Sequence, residues 1–145
     1  MAFFALALTV SGHSSLATDP DTVHRLGYLT FDTPSVHAPY AAAFDKGLAE
    51  AGYIEGKNVI VERRFTTNDS SAIRNTLADL IGLRVEVLVT ESTIVALAAK
   101  GATRTIPIVT FSGDPVAAGL VASLGHPGGN VTAISTLGRG ITGKR

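Results

Sequence analysis

From Arg25 onward, short apolar runs alternate with stretches in which apolar residues recur every three or four positions. A run without polar alternation marks a strand buried on both faces, and the longer spacing marks a helix with one apolar side. Strands are predicted over 26–31, 59–65, 85–90, 106–111 and 131–134. The second differs from the rest. Glu62, Arg63 and Arg64 interrupt its apolar residues, as on a margin strand that must resist pairing with other chains.

Helices fill the gaps. Over 40–51, Tyr40, Phe44, Gly47, Leu48 and Ala51 share a core-facing side, Asp45, Lys46 and Glu50 point away, and Gly52 supplies the stop. Over 70–83, Ile73, Leu77, Leu80 and Ile81 repeat that pattern behind Asp69 or Ser70 as a cap. The segment 93–102 is nearly all Ala, Val, Ile and Leu behind Ser92 or Thr93, so it is predicted to be packed. A fourth, short helix is predicted over 115–124, with Pro115 in its first turn and Gly125 past its end. The repeating unit is βα. The expected fold class is α/β, a doubly wound parallel five-stranded sheet with helices on both faces.

A length of 145 residues fits one domain with one core. Lys plus Arg and Asp plus Glu number 12 each, so there is no basic excess to neutralise a phosphate backbone, and nucleic acid is not an expected partner. Cysteine is absent, which excludes disulfides, thiolate metal sites, a Cys nucleophile and a lipid-bearing Cys. The first charged residue is Asp19, and the apolar run from Phe3 to Val10 has the length of a signal-peptide core, well short of a membrane span. Ser15-Leu16-Ala17 puts small residues at the −3 and −1 positions of a cleavage site, although no Lys or Arg precedes the run. Residues 1–17 therefore read as signal-peptide-like, and the exported product as freely soluble and extracytoplasmic.

In an open parallel sheet, ligands bind outside the carboxyl ends of the strands. The loops there carry Thr30, Phe31 and Asp32 after the first strand, Thr90, Ser92 and Thr93 after the third, and Ser112 and Asp114 after the fourth. Their hydroxyls, helix N-termini and aromatics suit a small polar ligand. Any one of them serves equally well as a helix cap, and only their convergence on one edge favours binding. His13, His24, His37 and His126 show no metal-ligand spacing and read as solvated. Gly119 is not part of a G-x-G-x-x-G, and the chain has no G-x-x-x-x-G-K-[ST] and no G-x-S-x-G. An enzyme is not expected, nor a cofactor or a metal.

The same residues resemble a family. Gly27-Tyr28-Leu29, Tyr40 to Phe44, Gly47-Leu48 and the run from Ala51 to Val59 are similar to the opening of the ABC-transporter substrate-binding proteins of the tryptophan-binding TrpX type. Thr105-Ile106-Pro107-Ile108-Val109, Gly113-Asp114-Pro115-Val116, Gly119-Leu120-Val121-Ala122-Ser123-Leu124 and Pro127-Gly128-Gly129-Asn130-Val131-Thr132 continue the likeness. The resemblance runs from about Arg25 to Ser135 and implies that 18–135 is the N-terminal ligand-binding lobe, Rossmann-like, of a type I periplasmic binding protein that is periplasmic or otherwise extracytoplasmic. It further implies a small-molecule ligand, an amino acid or other organic compound held between two lobes, and the membrane permease of an ABC importer as partner. Residues 136–145 resemble the first hinge crossing and the start of the second lobe. The loop after the third strand departs from the family pattern by carrying Glu91. The alternative on the same fold is the sensing lobe of a cytoplasmic regulator, which would begin with a basic DNA-reading segment rather than an apolar one.

Overall fold

The computed structural model describes residues 22–136. The signal-like segment 1–17 and all of the hinge-like segment beyond Thr136 lie outside the described residues. The element order is β1 (His24–Thr30), α1 (Pro34–Glu50), β2 (Val59–Phe65), α2 (Ser70–Gly82), β3 (Val87–Thr90), α3 (Thr93–Ala102), β4 (Ile108–Ser112) and β5 (Val131–Ser135). The five strands form one sheet in the order β2-β1-β3-β4-β5, and each neighbouring pair is parallel.

Side chains alternate across the sheet, so each strand feeds two layers. Leu29, Leu88, Ile108 and Val131 point to the layer covered by α2 and α3, where they pack with Ile73, Leu77, Leu80, Val95 and Ala99. Tyr28, Val59, Val61 and Val89 point to the opposite layer, against Phe44 and Leu48 of α1. Gly27 leaves room for its neighbours under α2: a Cβ there would lie 2.9 Å from Leu88 Cδ2 of the adjacent strand β3 and 3.4 Å from Leu80 Cδ1 of α2. On the α1 side, the cover stops short of β4 and β5. Phe111 and Ile134 of those strands are exposed.

Among the described residues β2 pairs with β1 alone, as its charges predict. Those charges are matched: Arg25 Nη1 donates to Glu62 Oε1 at 2.5 Å, and Arg63 donates to Glu55 and Asp45. Asp69 caps α2 by accepting from the N–H groups of Ser71 and Ala72. Gly52, at φ +90°, makes the turn beyond α1.

Three expectations are corrected. α1 begins at Pro34, six residues before the predicted start at Tyr40. Proline at 34 costs nothing, because the first N–H groups of a helix have no partner anyway, whereas Pro39 forfeits one bond inside the helix. The extension winds His37 into the first turn. Second, residues 115–119 form a turn and not the start of a fourth helix. Leu120 N–H and Val121 N–H both bond back to Pro115 O, and Gly119 takes φ +72°, which ends the winding after one turn. Leu120 and Val121 are thereby dropped into the α2–α3 layer, and Lys100 Nζ fastens the turn by donating to Gly119 O at 2.7 Å. Third, Tyr40 does not face the core; it is 59% exposed.

Candidate functional site

The carboxyl ends of β1, β3 and β4 meet the N-termini of α1 and α3 along one edge of the sheet. Because α1 covers only part of its face, a cavity of about 680 Å³ opens between that helix and the end of β4. Val36 and Tyr40 of α1 form one wall and Phe111 of β4 the other, with Tyr28, Asp32 and Glu91 along its floor. A space of that size, apolar at the sides with a few polar groups gathered at one end, suits a small organic ligand.

The polar end is held by an aromatic frame. Tyr28 is 2% exposed, and its hydroxyl donates to Glu91 Oε1 at 2.5 Å. Burial, and after it this hydrogen bond to a carboxylate, push the Tyr28 phenol well above its ordinary pKa, so it stays a donor. His37 contradicts the expectation that it is solvated: it is 1% exposed. Its ring lies 5.0 Å from that of Tyr28, 5.8 Å from Phe65 and 6.2 Å from Tyr40. His37 Nδ1 stands 3.3 Å from Glu91 Oε2, but among the described residues neither ring nitrogen has a hydrogen-bond partner. His24, also read as solvated, bonds Glu86 Oε2 through Nδ1 at 2.8 Å.

The residues singled out by sequence divide into three groups. Asp32 lines the cavity, whereas Phe31 turns to the α2 side and lines a shallower groove with Phe65 and Thr66. Thr30, Thr90 and Ser112 are buried beneath the edge. Thr90 Oγ1 donates to Thr110 Oγ1 at 2.9 Å, and Thr93 Oγ1 shares a 2.8 Å hydrogen bond with Ser112 Oγ, tying the ends of β3 and β4 to α3. Ser92 occupies the N-cap position of α3, yet no side chain caps that helix. Asp114 caps the 115–119 turn through Ala117 N–H. Tyr28, Tyr40 and Glu91 were missed as cavity residues, as was the buried His37 behind them, and periodicity held a signal only for the first. Tyr28 alternates with Leu29 along β1, which puts it on the α1 face.

The profile described as ABC transporter substrate binding protein matches residues 31–139. The chain belongs to that family, one of substrate-binding proteins for ABC transport that bind small-molecule ligands. Among curated proteins it is 38% identical over 93 residues to a tyrosine-binding protein of Clostridioides difficile (strain R20291), a match covering 63% of this chain and 27% of that protein. Among solved structures it resembles an ABC domain in complex with L-Trp from Streptococcus pneumonia, at TM-score 0.69 and 30% identity, over 79% of this chain and 39% of that one. A conserved domain protein from Vibrio cholerae matches at TM-score 0.73 and 30% identity, over 81% and 40% of the two chains. The ligand-free, open structure of a substrate binding protein with adhesive properties from Clostridium difficile matches at TM-score 0.70 and 30% identity, over 78% and 39%. The chain thus spans 27% of the curated relative's length and 39% to 40% of these structures. Its architecture is the α/β fold of periplasmic binding proteins. Among the described residues no helix is long and apolar enough to cross a membrane.

Proposed function

We propose that this chain is the first lobe of the extracytoplasmic solute-binding component of an ABC importer, and that its ligand is an amino acid, with aromatic amino acids the first to test. The observation that carries the reading is the cavity itself, aromatic at the sides through Tyr40 and Phe111 and carboxylate-bearing at the floor through Asp32 and Glu91. An aromatic side chain would lie between the two rings, and the α-ammonium group would sit on the carboxylates. The curated relative that binds tyrosine and the neighbour holding L-Trp support the ligand class.

In this reading Asp32 contacts the ligand directly. Thr30, Thr90, Ser112 and Thr93 hold the floor in place, Ser92 and Asp114 shape its rim, and Phe31, turned to the α2 side, takes no part. The lobe runs over 18–135, ending with β5 at Ser135, and a permease receives the loaded protein. The fold supplies no reaction of its own, and binding rather than catalysis is the proposed activity.

A thermal-shift screen of the twenty amino acids on a chain extended through its second lobe tests the proposal. A ligand at a hundred times its Kd stabilises by about 2.7 kcal/mol, which is readily seen as a raised Tm. Phenylalanine, tyrosine or tryptophan should raise it without being consumed. No shift with any amino acid would overturn the ligand assignment, and product formation would overturn the assignment as a binding protein.

A further inference from the structure

The polar end of the cavity contains a group of atoms whose arrangement suits something other than an organic ligand. Asp32 in the loop after β1, His37 in the first turn of α1 and Glu91 after β3 each offer one ligating atom, and the three atoms lie within 4.8 Å of one another. The geometry points to a binding site for a divalent transition metal of the zinc class, with these three side chains as ligands.

Three observations carry this. First, His37 is 1% exposed and, among the described residues, both of its ring nitrogens lack a hydrogen-bond partner. Burying an imidazole without partners is unfavourable, and such rings are normally satisfied. A metal ion would take the imidazole lone pair that none of the described residues engages. Second, the 3.3 Å separation of His37 Nδ1 from Glu91 Oε2 is too poorly aligned for a hydrogen bond. It is nevertheless the spacing expected of two ligands on one tetrahedral ion, since metal–ligand distances of about 2.0–2.1 Å at a tetrahedral angle place the ligand atoms about 3.3 Å apart. Third, the ligands are braced from outside. Tyr28 donates to the other oxygen of Glu91 at 2.5 Å, and the rings of Tyr28, Tyr40 and Phe65 hold the imidazole plane. Such outer contacts fix ligand orientation at metal sites.

The chemistry of the set selects the ion. Calcium takes six to eight oxygens and magnesium a near-octahedral oxygen shell, whereas one imidazole with two carboxylates suits zinc, cobalt or nickel. Three protein ligands leave a fourth position open toward the cavity, the pattern of sites that bind an exchangeable group. Because Asp32 and Glu91 are also the carboxylates assigned to an α-ammonium group, the ion and an amino acid would compete for this end of the cavity.

The test uses Zn²⁺ and Co²⁺ alone, with no amino acid present, so that failure here leaves the proposed function standing and failure of that proposal leaves this one standing. Calorimetric titration of the chain with Zn²⁺ should give one site per molecule, and Co²⁺ should give the intense visible absorption of four-coordinate cobalt. His37→Leu and Glu91→Gln should each weaken Zn²⁺ binding by about a hundredfold or more. His24→Gln, which removes the surface His24–Glu86 pair, should leave the affinity unchanged. Should His37→Leu fail to fold by circular dichroism, Glu91→Gln and the cobalt spectrum decide alone. Absence of a stoichiometric site, an unchanged affinity in Glu91→Gln, or loss of binding in His24→Gln would each overturn the proposal.

Discussion

Replacing Gly27 by Ala adds a single methyl group beside Leu88 of the adjacent strand and beneath Leu80 of α2. The new Cβ would stand 2.9 Å from Leu88 Cδ2 and 3.4 Å from both terminal methyls of Leu80, and those two leucines are themselves fully buried. Side chains in a close-packed core cannot all give way, so either Leu88 leaves its rotamer or β1 lifts from α2. Overpacking of this kind costs about 1–3 kcal/mol. Leu88→Val withdraws one carbon from the contact and, taken alone, costs about 1 kcal/mol. If the clash is the cause, the double variant should be more stable than the sum of the two losses requires, by about 1 kcal/mol of favourable coupling. Urea unfolding of the four proteins measures this. With a slope of about 1–3 kcal/mol per molar urea, the Gly27→Ala midpoint should fall by about 1 M and recover in part in the double variant. Strict additivity would refute the packing argument, and an unchanged midpoint for Gly27→Ala would refute the close approach itself.

Other outcomes follow from other contacts. His37→Leu should stabilise the metal-free protein by about 1 kcal/mol in urea, because relief of the unpartnered nitrogens outweighs the lost aromatic contacts. Asn130→Ala should cost about 1–3 kcal/mol, because Asn130 Nδ2 donates to Thr103 O at 3.2 Å and Ile106 O at 2.8 Å and so joins the turn before β5 to the end of α3. The Glu86 carboxyl is held below the usual carboxylate range, first by the hydrogen bond from His24 and then by Arg25 N–H. Its contribution is therefore present above the unfolded pKa and is lost as pH falls through the folded one. Glu86→Gln should flatten the fall of Tm below about pH 5, by less than about 1 kcal/mol given that the group is half exposed. Tyr40→Ala and Phe111→Ala, both at exposed aromatics of the cavity wall, should weaken ligand binding about tenfold or more in calorimetry while leaving Tm within a few degrees.

Sequence periodicity located all five strands and the long helices because burial on two faces leaves uninterrupted apolar runs, and the charges at 62–64 placed β2 at the margin correctly. The short 115–119 segment escaped it, since Pro115 and Gly119 open and close one turn as readily as they bracket a helix. The site was legible only as an edge. Which hydroxyls are consumed by one another, as Thr90 by Thr110 and Thr93 by Ser112, depends on the lateral order of strands, and no local pattern encodes that order. The burial of His37 was likewise hidden. It follows from the early start of α1 at Pro34, while Pro39 in the sequence argued for a later one.

The position of β1 at the interior of the sheet bears on how the chain reaches its fold. β1 comes first in the chain among the strands, yet its two neighbours are formed by residues 59–65 and 87–90. While the chain is made or moved from its N-terminus, Leu26 to Thr30 must remain with both edges open until α1 and then α2 have passed. Closing loops of that length is slow compared with forming a helix, and an apolar strand left waiting is prone to pair with its like. His24 and Arg25 stand directly ahead of the apolar stretch, where polar residues oppose such pairing, and in the folded lobe they partner Glu86 and Glu62.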